Sequence, residues 1–362
     1  MELKIKTTTL QDMVGKSAKC VSNNKLIPIT SLINIKVKSN VFTLTTTDAT
    51  HYFYVKSDEK FDCEDFEVSV LADIFIKLVQ KSTSEYITMS VDGNVFKVNG
   101  NGTYKIEMPL DENGGIIKFP QKLPGMEPPV TGNIKLSTVN FLLNYNKQSL
   151  AASMEIPSIT CYYCGDKVVT SDSNLACVSD IKVFDKPQLI SPQLMELLGV
   201  MSEETINFFI SEEDIIFWDK TETAYAPIVK GIETFPITAL LNLVNGEFVS
   251  KCVVSKDAIL SVLDRISLFI GQYDNKGVYF TFTKDGLMVT SKASSGTEII
   301  PYVSSENFTD FTCKVNVEML KSQINTHEEE KIELSYGAKV ALKLTAKNVA
   351  QIVALMQDDR GV

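Results

Sequence analysis

One pattern, repeated three times, constrains this chain more than any single motif. NVFTLTTTDATHYFYV occupies residues 40–55, VVTSDSNLACV 168–178 and DGLMVTSKASSGTEIIPYV 285–303. Each is an apolar run ending in Thr or Ser, a small polar corner, then a second run of alternating character. Helix-period stretches recur in step with it. LQDMVGKSAKC starts at Leu10, STVNFLLNYNKQSL at Ser137 and SKDAILSVLDRISLF at Ser255. A second series starts at Leu71, Ser191 and Asn316 (LADIFIKLVQK, SPQLMELLGVM and NVEMLKSQI). The two series interleave at a spacing of roughly 120 residues.

Alternating runs follow every helix, punctuated by DG, NG and KTET turns. Each repeat therefore reads as helix, strands, helix, strands, with two similar halves. The expected domains are residues 1–125, 126–246 and 247–362. Junctions are expected at the Pro-rich FPQKLPGMEPP, 119–129, and at FPITALLNLVNGEF, 235–248. The architecture expected is α+β: long antiparallel sheets with all helices on one side.

A chain of 362 residues can bury a core in each of three such domains. It has no apolar run of about eighteen residues, so no membrane helix is indicated. The start, MELKIKTTTL, alternates like a strand and lacks the basic and apolar blocks of a signal peptide. A cytoplasmic protein is expected, and its seven Cys read as reduced thiols. The net charge of −10 argues, as a global count, against nucleic-acid binding. A global count says nothing about placement.

Placement differs on the helices. At about 100° per residue, Leu10, Met13, Val14, Ser17 and Val21 form one stripe, with Lys16 and Lys19 opposite. Leu71, Ile74, Phe75 and Leu78 form the next, with Lys77 away from it. Ile259, Val262, Leu263 and Ile266 form a third, with Asp264 and Arg265 outside it. Lys147 and Lys321 sit on two further helices, whereas PQLMELLGVM has no basic residue. Solvent-facing Lys is ordinary on one amphipathic helix. Its recurrence in a triplicated unit of an acidic protein raises another reading. Repeated domains can close into a ring whose helices present Lys and Arg to a DNA backbone without reading bases.

Several stretches resemble one family, the bacterial DNA polymerase III beta subunit, or sliding clamp. NNKLIPITSLINIKV resembles its stretch of a basic residue, L-P-I-L and a strand. TLTTTDAT resembles its T-x-T-D corner, and VVTSDSNLACV its A-T-D-x-x-R-L-A. EIPSITCYY resembles R-P-x-L-x-G, with Ile159 at the Leu position. FPITALL resembles the entry to the third domain and AQIVALM the closing strand. The resemblance spans essentially the whole chain, through patterns that are individually weak. It implies a homodimeric ring around double-stranded DNA, bound without sequence preference. Its implied partners are a replicative DNA polymerase and a clamp loader, with no membrane, no cofactor and no catalytic centre. DNA-facing contacts would come from Lys16, Lys19, Lys25, Lys77, Lys81, Lys147, Arg265 and Lys321.

The family uses the second corner to build a partner-peptide pocket. Carried over by position, its lining is Ile159, Thr170, Leu175, Pro236, Leu240, Leu241, Ile352, Val353, Ala354 and Met356. Some of these positions fit plain core equally well. There are departures: Asn174 stands at the family's Arg, ALM replaces Met-Pro-Met, and QDDRGV follows as an extra tail. They fit a divergent or phage-borne member with an altered peptide preference.

Other constellations carry less. CYYC, 161–164, lies in a strand-like run, where residues i and i+3 face opposite ways, so redox and metal readings are disfavoured. His51 and His327 have no evident catalytic partners in sequence, and VNGNGTYK lacks a phosphate loop's G-K-[ST] ending. Two rivals remain: a repeat scaffold that never closes on DNA, and an α+β enzyme with Cys161 or Cys164 reactive.

Overall fold

The computed structural model describes residues 2–358 apart from 23, 25, 111–113, 121, 123–127, 153–155, 247, 273, 293 and 294. Lys25, much of the Pro-rich stretch after Phe119 and the last four residues thus lie outside the described residues. The fold is α+β and its sheets are antiparallel. Its α-helices are α1 (Thr7–Ser17), α2 (Ala72–Gln80), α3 (Leu136–Tyr145), α4 (Pro157–Thr160), α5 (Pro192–Leu198), α6 (Ile237–Val244), α7 (Lys256–Ser267) and α8 (Val317–Thr326). Among the described residues, no helix is long and apolar enough to cross a membrane.

The chain forms two compact units. The first comprises residues 1–140 and 193–228. Its eight-stranded sheet runs Phe66–Leu71, Leu32–Lys38, Val41–Thr47, Tyr52–Lys60, Glu222–Pro227, Asp214–Trp218, Thr205–Ile210 and Gly132–Lys135. Strands of the first and second sequence repeats meet in that sheet, with Tyr54 opposite Thr223. A second sheet orders Glu2–Lys6, Tyr86–Asp92, Val95–Asn99 and Thr103–Glu107. Gly93, at φ +57°, makes the tight turn of its DGN hairpin at no steric cost.

The second unit comprises residues 141–192 and 229–362. Its nine-stranded sheet runs Gln188–Ile190, Tyr162–Cys164, Val168–Ser171, Leu175–Ser179, Val349–Ala354, Ala341–Ala346, Lys331–Tyr336, Ser250–Ser255 and Ser304–Glu306. Here the second and third repeats meet, with Ala176 opposite Ile352. Its four-stranded sheet orders Thr297–Ile300, Gly286–Thr290, Gly277–Thr283 and Phe311–Asn316.

The helices follow their apolar stripes. In α1 Leu10, Met13, Val14 and Ser17 are buried, and in α7 Ile259, Val262, Leu263 and Ile266. Ser255 and Asn316 cap α7 and α8 by accepting from the N–H groups of Ala258 and Met319. Three expectations need correction. Val21 lies beyond α1, which ends at Ser17 and gives way to a 3₁₀ turn. In α2 the buried face is Ala72, Phe75, Ile76 and Val79, while Leu71 is 40% and Ile74 49% exposed. Leu71 still belongs to the preceding strand, so the helix starts one residue later and its stripe is rotated. Finally, 235–248 is not a bare junction: α6 occupies most of it.

Nor do all helices share one side. Leu175 and Val353 pack into a core with α7 and α8, whereas their strand neighbours Ala176 and Ile352 pack into another with α6. Successive strand residues face opposite ways, so α6 covers the opposite face of the nine-stranded sheet. That face carries the candidate site.

Candidate partner-peptide pocket and cationic helix faces

The second corner is held by its own side chains. Oδ1 of Asp172 accepts from the backbone N–H groups of Asn174 (2.8 Å) and Leu175 (2.6 Å). Oγ of Ser171 donates to the Leu175 carbonyl at 2.9 Å, and Ser173 sits at φ +80°. The turn places Asn174 and Leu175 at one lip of a cavity. Pro157 opens α4, a single turn that brings Ser158 and Ile159 alongside. Phe235 packs on Tyr163 with ring centroids 5.0 Å apart, which fixes the start of α6. From α6 and its cap come Pro236, Leu240 and Leu243. The last wall is the pairing of Ala341 with Ala354, and the Ala354 N–H donates to the Asn174 carbonyl at 2.8 Å.

The result is a cavity of about 320 Å³ within the second unit, lined by Ser158, Ile159, Ser171, Ser173, Asn174, Leu175, Ala176, Pro236, Leu240, Leu243, Val340, Ala341, Ile352 and Ala354. Among the described residues, no ionisable side chain lines it. Its walls are aliphatic, with a neutral polar lip of Ser and Asn. Such a site takes large apolar anchors from an extended or single-turn peptide.

Six of the sequence-expected lining residues meet here: Ile159, Leu175, Pro236, Leu240, Ile352 and Ala354. The other four do not line it. Thr170 is fully buried and donates to the Asn146 carbonyl at 2.9 Å. Val353 points into the core on the opposite face, Leu241 packs within the α6 cluster, and Met356 bridges to Lys314.

The expected DNA-facing cations lie on or beside helices. Lys77 pairs with Asp73 (2.6 Å) one turn away on α2. Arg265 makes a two-pronged contact with Glu298 (2.9 and 2.6 Å), and Lys321 pairs with Asp264. Lys19 follows α1, Lys81 follows α2 and Lys147 follows α3, and all three are exposed. Lys16 differs. Its Nζ meets Asp12 (2.8 Å), Ser202 (2.7 Å) and the buried Glu222 (3.0 Å). Burial pushes Lys16 toward neutrality, but hydrogen bonds to Asp12 and Glu222 and their charges outweigh it and raise its pKa.

Residues 1–112 match the family model for the DNA polymerase III beta subunit, N-terminal domain. That segment belongs to the DNA polymerase III beta subunit family. No curated protein matches the chain in sequence. Among solved structures it is similar to the DNA polymerase III beta subunit of Thermotoga maritima, with a TM-score of 0.84, 18% identity and 99% of both chains covered. It is also similar to the DNA polymerase sliding clamp of Bacillus subtilis, with a TM-score of 0.83, 16% identity and 99% of both chains covered. The beta subunit of Streptococcus pyogenes gives 0.82 and 16%, covering 99% of this chain and 100% of the other. Likeness at such identities establishes the fold: the whole chain has the sliding-clamp fold.

Within that fold, sequence reasoning missed part of the pocket. Ser171, Ser173, Asn174 and Ala176 lie inside the corner already singled out, and their neighbourhood in sequence is the signal that could have found them. Leu243 lies one turn after Leu240 on a recognisable helix period. Val340 and Ala341 have no local signal, since only strand pairing with Val349–Ala354 brings them in.

The thiols of CYYC do not suit a reactive centre. Cys161 is 4% exposed and Cys164 fully buried, and burial pushes both thiols up in pKa. A cysteine-dependent enzyme is therefore not favoured. Among the described residues, no group of three or more His, Cys, Asp or Glu is arranged to hold a metal.

Proposed function

We propose that the protein is a DNA sliding clamp, a processivity factor of DNA replication that tethers a replicative polymerase to duplex DNA. One observation carries this reading beyond the fold. An apolar, uncharged cavity is assembled from α4, the second corner, α6 and the closing strands, where the resemblance puts the partner groove. In this reading the polymerase and the clamp loader insert apolar anchors there. Tethering raises the polymerase's effective concentration at the primer end, and catalysis stays with the polymerase. The protein acts in the cytoplasm and has no catalytic centre or cofactor of its own.

Two copies, each of three domains (1–125, 126–246 and 247–362), close head to tail around DNA. Free sheet edges support that closure. Thr103–Glu107 ends one four-stranded sheet with Tyr104 39% exposed, and Thr297–Ile300 ends another with Ile299 56% exposed. Leu268 is 80% and Phe269 50% exposed beside the second. Uncovered edges and apolar patches of this kind are normally paired. Lys19, Lys77, Lys81, Lys147, Arg265 and Lys321 supply the non-specific phosphate contacts, with Lys16 tied to Glu222.

Retention on DNA tests the proposal. After loading by the cognate clamp loader, the protein is expected to stay on nicked circular duplex and run off the same duplex once linearised. Equal retention on both forms would reject topological linkage and favour an open scaffold.

A further inference from the structure

Four of the eight cations assigned to DNA already hold a carboxylate. Lys77 pairs with Asp73, Lys321 with Asp264, Arg265 with Glu298, and Lys16 adds Asp12 to its buried partner. Two of these pairs have Asp one helical turn before Lys, the order that favours contact. Asp12, Asp73 and Asp264 are each about 63% exposed and belong to no other ion pair among the described residues. Lys19 and Lys81 have no such partner among the described residues.

We propose that Asp73 and Asp264 are internal competitors for DNA phosphates: a phosphate engages Lys77 and Lys321 only by displacing a carboxylate. The inference rests on the sliding-clamp reading and deepens it. An exposed ion pair is weak and screened, so it opens readily, yet while closed it removes the cation from the phosphate's reach. Each contact with DNA then exchanges one anion for another. It gains little from phosphate neutralisation and from release of counterions condensed on the DNA. Such contacts neither hold the ring at one place nor select a sequence, which is what diffusion along duplex requires. The Lys16–Glu222 contact stands apart, because a carboxylate that is 1% exposed is not displaced by an incoming phosphate.

The test uses the full-length protein, a short fluorescent DNA duplex and a salt titration of binding. Asp73→Asn and Asp264→Asn are combined in one variant. Freeing two cations should tighten binding by about twofold per pair, about fourfold together. It should also steepen the dependence of log K on log salt by up to about 0.9 per added contact. A control neutralises as many carboxylates away from these helices, Asp185→Asn and Glu212→Gln, and should leave binding near wild type. An equal gain in the control would overturn the proposal, since net charge alone would explain it. Unchanged or weaker binding in the helix variant would also overturn it. If Lys19→Glu/Lys81→Glu still weakens binding in that case, the DNA-facing reading survives. If that pair is silent as well, the DNA-facing reading has failed and the inference goes with it. Matching thermal melts and elution volumes keep the variants comparable.

Discussion

Lys16 Nζ lies 3.0 Å from Glu222 Oε1, joining α1 to the start of the strand Glu222–Pro227, and Glu222 is 1% exposed. The same carboxylate accepts from the backbone N–H and the hydroxyl of Ser202. Asp219 beside it accepts from the backbone N–H groups of Ser202, Glu203, Thr221 and Glu222. Burial pushes Glu222 up in pKa, whereas the backbone donors outweigh burial at Asp219 and hold it down. Removing Lys16 would strand a buried carboxylate. Lys16→Ala is expected to cost about 2–4 kcal/mol in urea unfolding. Lys77→Ala, which breaks an exposed pair, should cost less than about 0.5 kcal/mol. Equal losses would show that Glu222 does not depend on Lys16.

The pocket is open because small residues line it, Ala354, Ala341 and Ala176 among them. Ala354→Phe should fill it. A peptide with two large apolar anchors, taken from the partner polymerase, is expected to bind at least about tenfold more weakly to this variant by calorimetry. Retention on circular DNA should stay at wild-type level, since Ala354 lies on a strand, away from the helices that carry the proposed DNA contacts. Undiminished peptide binding would place the partner site elsewhere.

How much of this was legible in sequence depends on the range of the interactions. The corners were readable because side-chain chemistry writes them locally. Asp48 and Asp172 each accept from the two N–H groups that follow their turn, and Thr47 and Ser171 each donate across it. Amphipathic helices were readable by period, except where the stripe depended on one residue of phase, as at Ile74. Joins between repeats were not readable. The pairing of Tyr54 with Thr223 connects residues far apart, and nothing local marks either strand as a neighbour of the other. The pocket divides the same way: Leu175 was visible from its corner, and Val340 only from the assembled sheet. Thr170 lies outside the cavity because its hydroxyl is spent on Asn146, a partner no local pattern announces.

The thiols offer a direct check on the enzyme alternative. Cys20, Cys161, Cys164, Cys177, Cys252 and Cys313 are buried, and only Cys63 is half-exposed. Burial and the charges of Asp62 and Asp65 raise the Cys63 pKa, so even this thiol should react slowly at neutral pH. Labelling of the native protein is expected to modify Cys63 alone on the timescale in which the urea-unfolded chain reacts at all seven. Cys161→Ala/Cys164→Ala should keep its peptide binding. Fast native labelling at Cys161 or Cys164 would revive the enzyme reading.

His327, 2% exposed, carries a pH dependence whose sign follows from its surroundings. Its Nε2 lies 2.8 Å from Gln351 Oε1, and Gln351 donates in turn to the Tyr145 carbonyl and the Thr326 hydroxyl. That orientation makes Nε2 the donor and leaves the lone pair on Nδ1 buried, with no partner among the described residues. Burial lowers the pKa most; the Gln351 bond and the charge of Glu329 oppose it, and Lys256 adds to the lowering. The folded state therefore takes up this proton only below the ordinary value of 6.5, at which the unfolded chain takes it up. Stability from this group is complete above that value and is lost as pH falls through it, until the folded value is reached. The melting temperature is expected to decline from about pH 7 toward pH 5. His327→Gln, less stable at pH 8 through lost packing, should show a shallower decline over the same window. Parallel curves for the two proteins would assign the pH dependence to other groups.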